Sequence, residues 1–191
     1  MKIGILGGSF DPIHTGHAVV ANELVQRGVF DRVWLVPARI NPFKTGEERP
    51  ADGAMRTEMC RLVADRCKGV EVNDIEQSLP EPSYTYRTLC ALSREYPEHT
   101  FRVIIGSDNW EAFGRWRDAD RILNEYGVTI YPRPGYELPA EMPGNVEVAG
   151  EVPQVFVSST YIRQALKRGQ DVTFLVPCNV LNYIEEKQLY R

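Results

Sequence analysis

The sequence predicts an α/β fold in which a parallel β-sheet carries helices on both faces. Short apolar runs typical of buried strands alternate with longer stretches of helical periodicity. The chain has 191 residues and contains no internal repeat or low-complexity tract. This length suits one domain of ordinary size. We therefore predict a single Rossmann-like domain over residues 1–191.

Each predicted strand is a short apolar run bounded by polar or turn-forming residues. Ile3, Ile5 and Leu6 lie in the first run, and Val33-Trp34-Leu35-Val36 forms the second. Such runs are typical of strands that are buried on both faces of a sheet. The predicted strands are residues 2–6, 32–37, 70–73, 100–105, 128–131 and 155–157.

The segments between these strands carry apolar residues at helical spacing. Val20 and Leu24 lie one turn apart in the first segment, and Met55 and Met59 mark the second. The predicted helices are residues 17–27, 54–67, 83–96, 159–168 and 178–186, and the predicted loops include residues 39–50 and 135–150.

Composition narrows the class of protein. The formal net charge of −4 gives no basic surface of the kind that binds nucleic acid. No apolar run approaches the ~20 residues of a membrane-spanning helix, and the first residues show a strand pattern, so we expect a cytoplasmic protein without a membrane partner. The four cysteines form no CxxC pair or metal-ligand spacing, which predicts reduced, mostly buried thiols. A homo-oligomer is left open.

Ligands of such folds bind beyond the carboxyl ends of the strands, near the point where the strand order reverses. The strand ends of interest are Gly7, Pro37, Gly106 and Val157. Each of them leads into a segment with distinctive polar chemistry.

The first of these segments runs from Gly7 and Gly8 through Ser9 and Phe10 to a pair of histidines at the start of a helix, His14 and His17. Glycines let main-chain N–H groups approach a phosphate, and a helix N-terminus adds partial positive charge. The pattern predicts a nucleoside triphosphate site in which the imidazoles donate to phosphoryl oxygens. The alternative is a pair of capping or exposed histidines.

The second segment lies near the other end of the chain, where Ser158, Thr160 and Arg163 open a helix. Two hydroxyls and a guanidinium one turn apart predict a second phosphate cradle, which would hold the same triphosphate from its other side. The alternative is a helix N-cap with a surface arginine.

Three further candidates lie between these segments. Gly106 and Asp108 follow a buried strand, where a carboxylate can accept ribose hydroxyls or orient a metal-bound water, and Trp116 can stack on a flat heterocycle. The helix start at Tyr84 and Thr85 offers N–H groups that favour a small carboxylate. Alternatives at these sites are an N-cap, a core tryptophan and plain capping by Ser83.

Two basic side chains lie in loops, where they can fold over phosphates or stay in solvent. They are Lys44 in the loop at 39–50 and Arg133 in Pro132-Arg133-Pro134-Gly135.

The residues from Gly7 to His17 and from Ser158 to Arg163 resemble the paired motifs of the nucleotidyltransferases with an HxGH signature. The segments Pro82–Thr85, Ile105–Asp108 with Trp116, and Arg133–Gly135 are similar to the nicotinate-nucleotide adenylyltransferases of bacteria. The likeness extends over essentially the whole chain. One departure is Phe43, where the family often has a histidine before the loop lysine.

This resemblance implies a reaction in which ATP and nicotinate mononucleotide give nicotinate adenine dinucleotide and pyrophosphate, with Mg²⁺. It implies that His14, His17 and Arg163 are catalytic. It places the phosphates and the adenosine of ATP against Gly7, Gly8, Ser9, Phe10, His14, His17, Gly106, Asp108, Ser158, Thr160 and Arg163. It places nicotinate mononucleotide against Lys44, Tyr84, Thr85, Trp116 and Arg133, and it implies no protein-held metal site.

Alternative functions remain at this level. Pantetheine-phosphate adenylyltransferase shares the superfamily but usually has a lysine-bearing second motif where this chain has Arg163. A cytidylyltransferase differs in its nucleotide, and a class I tRNA synthetase would be longer. A non-catalytic nucleotide-binding module would not need both histidines and Arg163.

Overall fold

The computed structural model describes residues 1–40 and 51–191. The strands are β1 (Lys2–Gly8), β2 (Arg32–Pro37), β3 (Val70–Val72), β4 (Thr100–Gly106), β5 (Val128–Tyr131) and β6 (Val146–Val148). The helices are α1 (Thr15–Gln26), α2 (Gly53–Ala64), α3 (Thr85–Glu95), α4 (Ser107–Glu111), α5 (Ala119–Glu125), α6 (Ser159–Lys167) and α7 (Cys178–Glu186). One-turn 3₁₀ helices lie at Ile75–Gln77 and Phe113–Arg115.

All strand pairs in the described part of the chain are parallel, in the order β3-β2-β1-β4-β5-β6. The chain builds the sheet outward from β1 to β3, then crosses back and adds β4 beside β1. The strand order therefore reverses between β1 and β4, where Leu6 pairs with Ile104. Gly7 and Gly8 at the end of β1 thus border the same crevice as Gly106 at the end of β4, as the sequence predicts.

Alternation along the strands divides the core into two apolar layers, one on each face of the sheet. Ile3 and Ile5 point to the layer that contains α3 and α5, whereas Leu6 points to the layer that contains α1, α2, α6 and α7. A Cβ at Gly4 would lie 2.5 Å from Cδ1 of Ile104, so a larger residue at this position would force Ile104 to move. The predicted α/β sheet with helices on both faces is confirmed.

One predicted strand is wrong. Residues 155–157 form no ladder, because the N–H of Val157 donates to the carbonyl of Val155 in a tight turn (3.0 Å). Val157 is apolar because it is buried against the core beside α1. The sixth strand is instead Val146–Val148, inside the segment that was expected to be a loop. It is a three-residue edge strand whose last two residues are exposed, and so it lacks the apolar run of a buried strand.

The sequence also predicts reduced, mostly buried cysteines and no membrane-spanning helix. The four cysteines are unbridged, but only Cys60 is buried; Cys178 is exposed and the other two are half-buried. Burial raises the pKa of the Cys60 thiol well above its usual range. Within residues 1–40 and 51–191 no helix is long and apolar enough to cross a bilayer.

Candidate active site

β1 ends at Gly8, so the two glycines that the sequence predicts as a turn lie within the strand, and a loop over residues 9–14 leads from it into α1. Phe10 adopts a left-handed backbone (φ +47°), which costs energy for a residue with a Cβ, and its ring is buried. The edge of that ring packs against the imidazole of His17, with centroids 5.0 Å apart. The strained turn and the buried ring therefore fix the position of His17 at the start of α1.

The two histidines lie against each other at this helix start. Their rings are stacked with centroids 3.7 Å apart, and the main-chain N–H of His14 donates to Nδ1 of His17 (3.3 Å). Because Nδ1 accepts, the proton of a neutral His17 lies on Nε2, where it can be donated to a phosphoryl oxygen. A Cβ at Gly16 would lie 3.1 Å from Nδ1 of His14, which explains the glycine between the two.

His14 is held in its neutral form. It is only 4% exposed, and desolvation, followed by the positive charge of Arg133, lowers its pKa to about 4. Without a bound anion, His14 is therefore an uncharged hydrogen-bonding group at neutral pH. A polyphosphate next to it would favour its protonation.

The start of α6 docks onto the loop that precedes α1, so the two ends of the chain meet. Nη1 of Arg163 donates to the carbonyl of Asp11 (2.8 Å), and Oγ of Ser159 donates to the carbonyl of Pro12 (2.9 Å). The predicted convergence of the two motifs is thus present. The hydroxyl of Ser158 caps α6 by accepting from the N–H of Tyr161 (3.2 Å), while Thr160 is exposed.

The side chains of Asp11 and Arg56 hold the loop before α1 in place through hydrogen bonds. The Asp11 carboxylate is buried and accepts from the hydroxyl of Tyr190 (2.6 Å) and from the N–H of Ala51 (3.1 Å). Arg56 is 2% exposed and donates to the carbonyls of Ser9 and Ala38, both at 2.7 Å. The sequence does not reveal the part that Arg56 and Tyr190 play here, since nothing local marks a helix arginine or a terminal tyrosine as part of a distant loop.

A cavity of about 450 Å³ opens at the carboxyl ends of β1 and β4. Its walls include Gly7, Gly8 and Gly106 on the sheet side and Tyr84, Thr85 and Trp116 on the other side. The structure therefore brings the predicted aromatic and helix-start residues together around one space. That space is large enough for a small aromatic ligand.

A second, much smaller cavity of about 20 Å³ lies beside the histidines. His14, His17 and Arg133 line it, together with Tyr131, which also borders the larger cavity. The two spaces are therefore neighbours. Arg133 lies with the histidines rather than with Tyr84 and Thr85. Arg163 lines neither of these two cavities, since its guanidinium is turned toward Asp11.

Gly106 lies where the two spaces meet and has no room for a side chain. A Cβ there would lie 2.3 Å from Oδ1 of Asp108 and 2.7 Å from Cδ of Arg133. Asp108 and Arg133 form an ion pair over this glycine (3.5 Å), and the N–H of Arg133 donates to Oγ of Ser107 (2.8 Å). The predicted Gly106–Asp108 segment thus forms the border between the cavities.

Two other expectations concern Lys44 and metal ligands. Lys44 lies in residues 41–50, outside the described residues. Among the residues that the structure describes, no cluster of three or more His, Cys, Asp or Glu side chains is arranged to hold a metal ion.

Comparisons with known proteins identify the family. Residues 5–165 match the family model described as cytidylyltransferase-like, so the chain belongs to that family of nucleotidyltransferases. A relative from Bacteroides fragilis is 42% identical over 176 residues, covering 92% of this chain and 87% of its own. One from Flavobacterium johnsoniae is 35% identical over the full length of both chains. Both are named "Probable nicotinate-nucleotide adenylyltransferase". The chain therefore belongs to the nicotinate-nucleotide adenylyltransferase family.

A solved structure supports the fold. The nicotinic acid mononucleotide adenylyltransferase of Plasmodium falciparum, complexed with NaAD, superimposes with a TM-score of 0.84 at 21% identity. The alignment covers 99% of this chain and 97% of that one.

Proposed function

We infer that this enzyme transfers the adenylyl group of ATP to nicotinate mononucleotide, giving nicotinate adenine dinucleotide and pyrophosphate for NAD biosynthesis. Membership of the family supports the reaction. The observation that carries the reading at the level of atoms is the pair of adjoining cavities. One is bordered by the stacked histidines and the other by Tyr84, Thr85 and Trp116. Two substrates held in neighbouring spaces can react directly with each other.

We propose that the triphosphate and adenosine of ATP bind where the two ends of the chain meet. The proposed ATP-binding residues are Gly7, Gly8, Ser9, Phe10, His14, His17, Gly106, Asp108, Ser158, Thr160 and Arg163. The hydroxyl of Ser158 already caps α6, so the geometry favours an indirect contribution of Ser158 to ATP binding. Arg163 keeps its proposed role although its Nη1 donates to the carbonyl of Asp11.

Nicotinate mononucleotide would occupy the larger cavity. The ring would stack on Trp116, and its carboxylate would accept from N–H groups at the start of α3, at Tyr84 and Thr85. Arg133, beside the histidines, is placed to meet the phosphate of the mononucleotide, and Lys44 remains a proposed substrate-binding residue from the loop outside the described region. The whole of residues 1–191 would act as one nucleotidyltransferase domain.

The chemistry needs no covalent enzyme intermediate. An oxygen of the mononucleotide phosphate attacks the α-phosphorus of ATP in line, the bond from that phosphorus to the β-phosphate bridge breaks, and pyrophosphate leaves. Catalysis is then mostly positioning and stabilisation of negative charge. His17 would donate through Nε2, and the neutral His14 beside it would take up positive charge as the polyphosphate binds. Mg²⁺ would arrive as part of the ATP complex.

Selection of the acid over the amide follows from the helix start. A carboxylate accepts from several N–H donors, whereas the NH₂ of nicotinamide would meet those donors without a partner. A buried unpaired polar group costs about 1–3 kcal/mol. Nicotinate mononucleotide should therefore be preferred over nicotinamide mononucleotide.

A coupled assay of pyrophosphate release tests the proposed function. It compares ATP with CTP, and nicotinate mononucleotide with nicotinamide mononucleotide and phosphopantetheine. We expect the fastest release from ATP with nicotinate mononucleotide. Faster release with CTP or with phosphopantetheine would identify a different transferase, and binding of ATP without release in any combination would identify a non-catalytic module.

A further inference from the structure

A buried carboxylate borders the larger cavity without a role in the chemistry described above. Glu76 lies on the 3₁₀ turn Ile75–Gln77, between β3 and α3, and is 7% exposed. Its Oε1 accepts from Oγ1 of Thr88 (2.7 Å). Its Oε2 is buried and has no hydrogen-bond partner among the described residues. A buried carboxylate oxygen without a partner is costly, so it is retained only where something offsets that cost.

The Glu76 carboxylate lines the same cavity as Tyr84, Thr85 and Trp116. The strand residues Val36 and Ile105 supply apolar walls there, and in such surroundings a charge is weakly screened. The cavity can therefore present both an aromatic face and a negative charge to whatever enters it.

Arg115 and Arg117 border the cavity, and neither forms an ion pair with Glu76 in the described part of the chain. The guanidinium of Arg117 lies over the ring of Tyr84 (4.8 Å to the centroid) and 3.8 Å from the carboxylate of Asp118. No ion pair that includes Glu76 is present among residues 1–40 and 51–191. A cationic ligand that enters the cavity would therefore supply a partner that Glu76 lacks among the described residues.

We propose, on the basis of the function given above, that Glu76 is a specificity-determining residue that supplies the counter-charge for the positively charged pyridinium ring of the mononucleotide. The ring nitrogen of a pyridine mononucleotide is bonded to ribose and is permanently cationic. Trp116 favours that cation through its π-face, as an aromatic ring does for any flat cation. Glu76 would add a full negative charge, and the start of α3 would hold the ring carboxylate.

Glu76→Gln separates charge from shape. Glutamine keeps an oxygen that can accept from Thr88 and nearly the same volume, but it carries no charge. The binding constants of two ligands are measured by calorimetry. The first ligand is nicotinate mononucleotide. The second is its C-nucleotide analogue, in which a benzoate ring without the pyridinium charge is joined to the same ribose phosphate through carbon; it is called the neutral analogue because its ring carries no positive charge.

We expect the substitution to weaken binding of the cationic ligand about tenfold or more and to change binding of the neutral analogue less than about twofold. Glu76→Asp keeps the charge and should retain most of the preference for the cation. Glu185→Gln is the matched control, since Glu185 is exposed on α7, which packs on the opposite face of the sheet. It should alter neither binding constant.

The outcomes separate this proposal from the function on which it rests. Equal weakening of both ligands by Glu76→Gln would mean that Glu76 only supports α3, and unchanged binding of both would mean that it faces no cation; either result overturns the proposal while wild-type turnover stands. Should Glu76→Gln fail to fold, loss of the cation preference in Glu76→Asp would overturn it. A wild-type enzyme that neither binds nicotinate mononucleotide nor releases pyrophosphate with it would refute both together.

Discussion

Replacing His17 by alanine tests whether the stacked histidines act in the transition state. The contacts that hold the imidazole include the N–H of His14 to Nδ1 (3.3 Å), the stacked ring of His14 (3.7 Å) and the edge of Phe10 (5.0 Å). A donor fixed in this way needs no reorganisation as charge develops on the phosphoryl oxygens. Loss of one such preorganised donor typically costs about 3–4 kcal/mol, which corresponds to a fall in kcat of about 10²–10³.

The assay is steady-state pyrophosphate release, together with ATP binding measured by calorimetry. We expect kcat to fall by that amount, while the Kd of ATP rises less than about fivefold, because the interaction strengthens mainly in the transition state. His99→Ala is the matched control. His99 packs against Trp34 and Tyr96, away from both cavities, so this change should affect thermal stability and leave kcat unaltered. An unchanged kcat in His17→Ala, or a loss confined to ATP affinity, would refute the reasoning.

Four further predictions follow from the geometry. Gly106→Ala should lower kcat/KM at least about tenfold, because its Cβ would displace Asp108 and Arg133; unchanged kinetics would show that the border is pliable. Tyr190→Phe should lower the free energy of unfolding in urea by about 1–3 kcal/mol, because Asp11 loses a donor in a buried site; a change below ~0.5 kcal/mol would contradict this. The pKa of His14 is 6.5 in the unfolded chain and about 4 in the folded protein. As the pH falls through that window, the unfolded chain binds the proton first, and the free energy of unfolding therefore decreases. Wild-type stability should drop by about 2 kcal/mol more between pH 7 and pH 5 than that of His14→Asn, and equal drops would contradict the lowered pKa. The ratio of kcat/KM for nicotinate over nicotinamide mononucleotide should be at least about tenfold, and a ratio near one would count against the helix start at Thr85 as the carboxylate site.

The sheet was predictable because its strands are buried on both faces. β1, β2, β4 and β5 consist mainly of buried apolar residues, although Arg102 interrupts β4 and Thr129 interrupts β5, and the sequence predicts their bounds to within two residues. β6 lies at the edge with two of its three residues exposed, so hydrophobicity does not mark it. Val155 and Val157 are apolar because they pack into the core layer that contains α1, and local hydrophobicity does not distinguish such packing from a strand.

The site was predictable where the chemistry is local. Glycines, two histidines and a hydroxyl-rich helix start each have a short-range physical reason, and the structure brings these segments together. What the sequence could not show are the long-range supports. Arg56 lies 47 positions from Ser9, and Tyr190 lies 179 from Asp11, so only the folded chain reveals their bonds. Glu76 belongs with them, because its burial depends on the packing of α3 over the sheet.

The placement of Arg133 shows a different limit. Its loop predicts contact with the mononucleotide, which stays a prediction; in the structure Arg133 pairs with Asp108 (3.5 Å) and lines the small cavity beside the histidines. In that position the side chain sets two things at once: the charge beside the histidines and the shape of the border at Gly106. A loop residue can be recognised as basic from sequence, but the cavity that it serves depends on the turn that follows β5.

Direct transfer of the adenylyl group requires that the two substrates are held side by side. The most direct test uses ATP made chiral by sulfur at the α-phosphorus, with nicotinate mononucleotide as acceptor, and determines the configuration of the thio-dinucleotide product. A single in-line displacement predicts formation of the dinucleotide with inversion at phosphorus. Retention would reveal an adenylylated enzyme between two displacements and would contradict the claim that the adjoining cavities bring the reacting oxygens and phosphorus together.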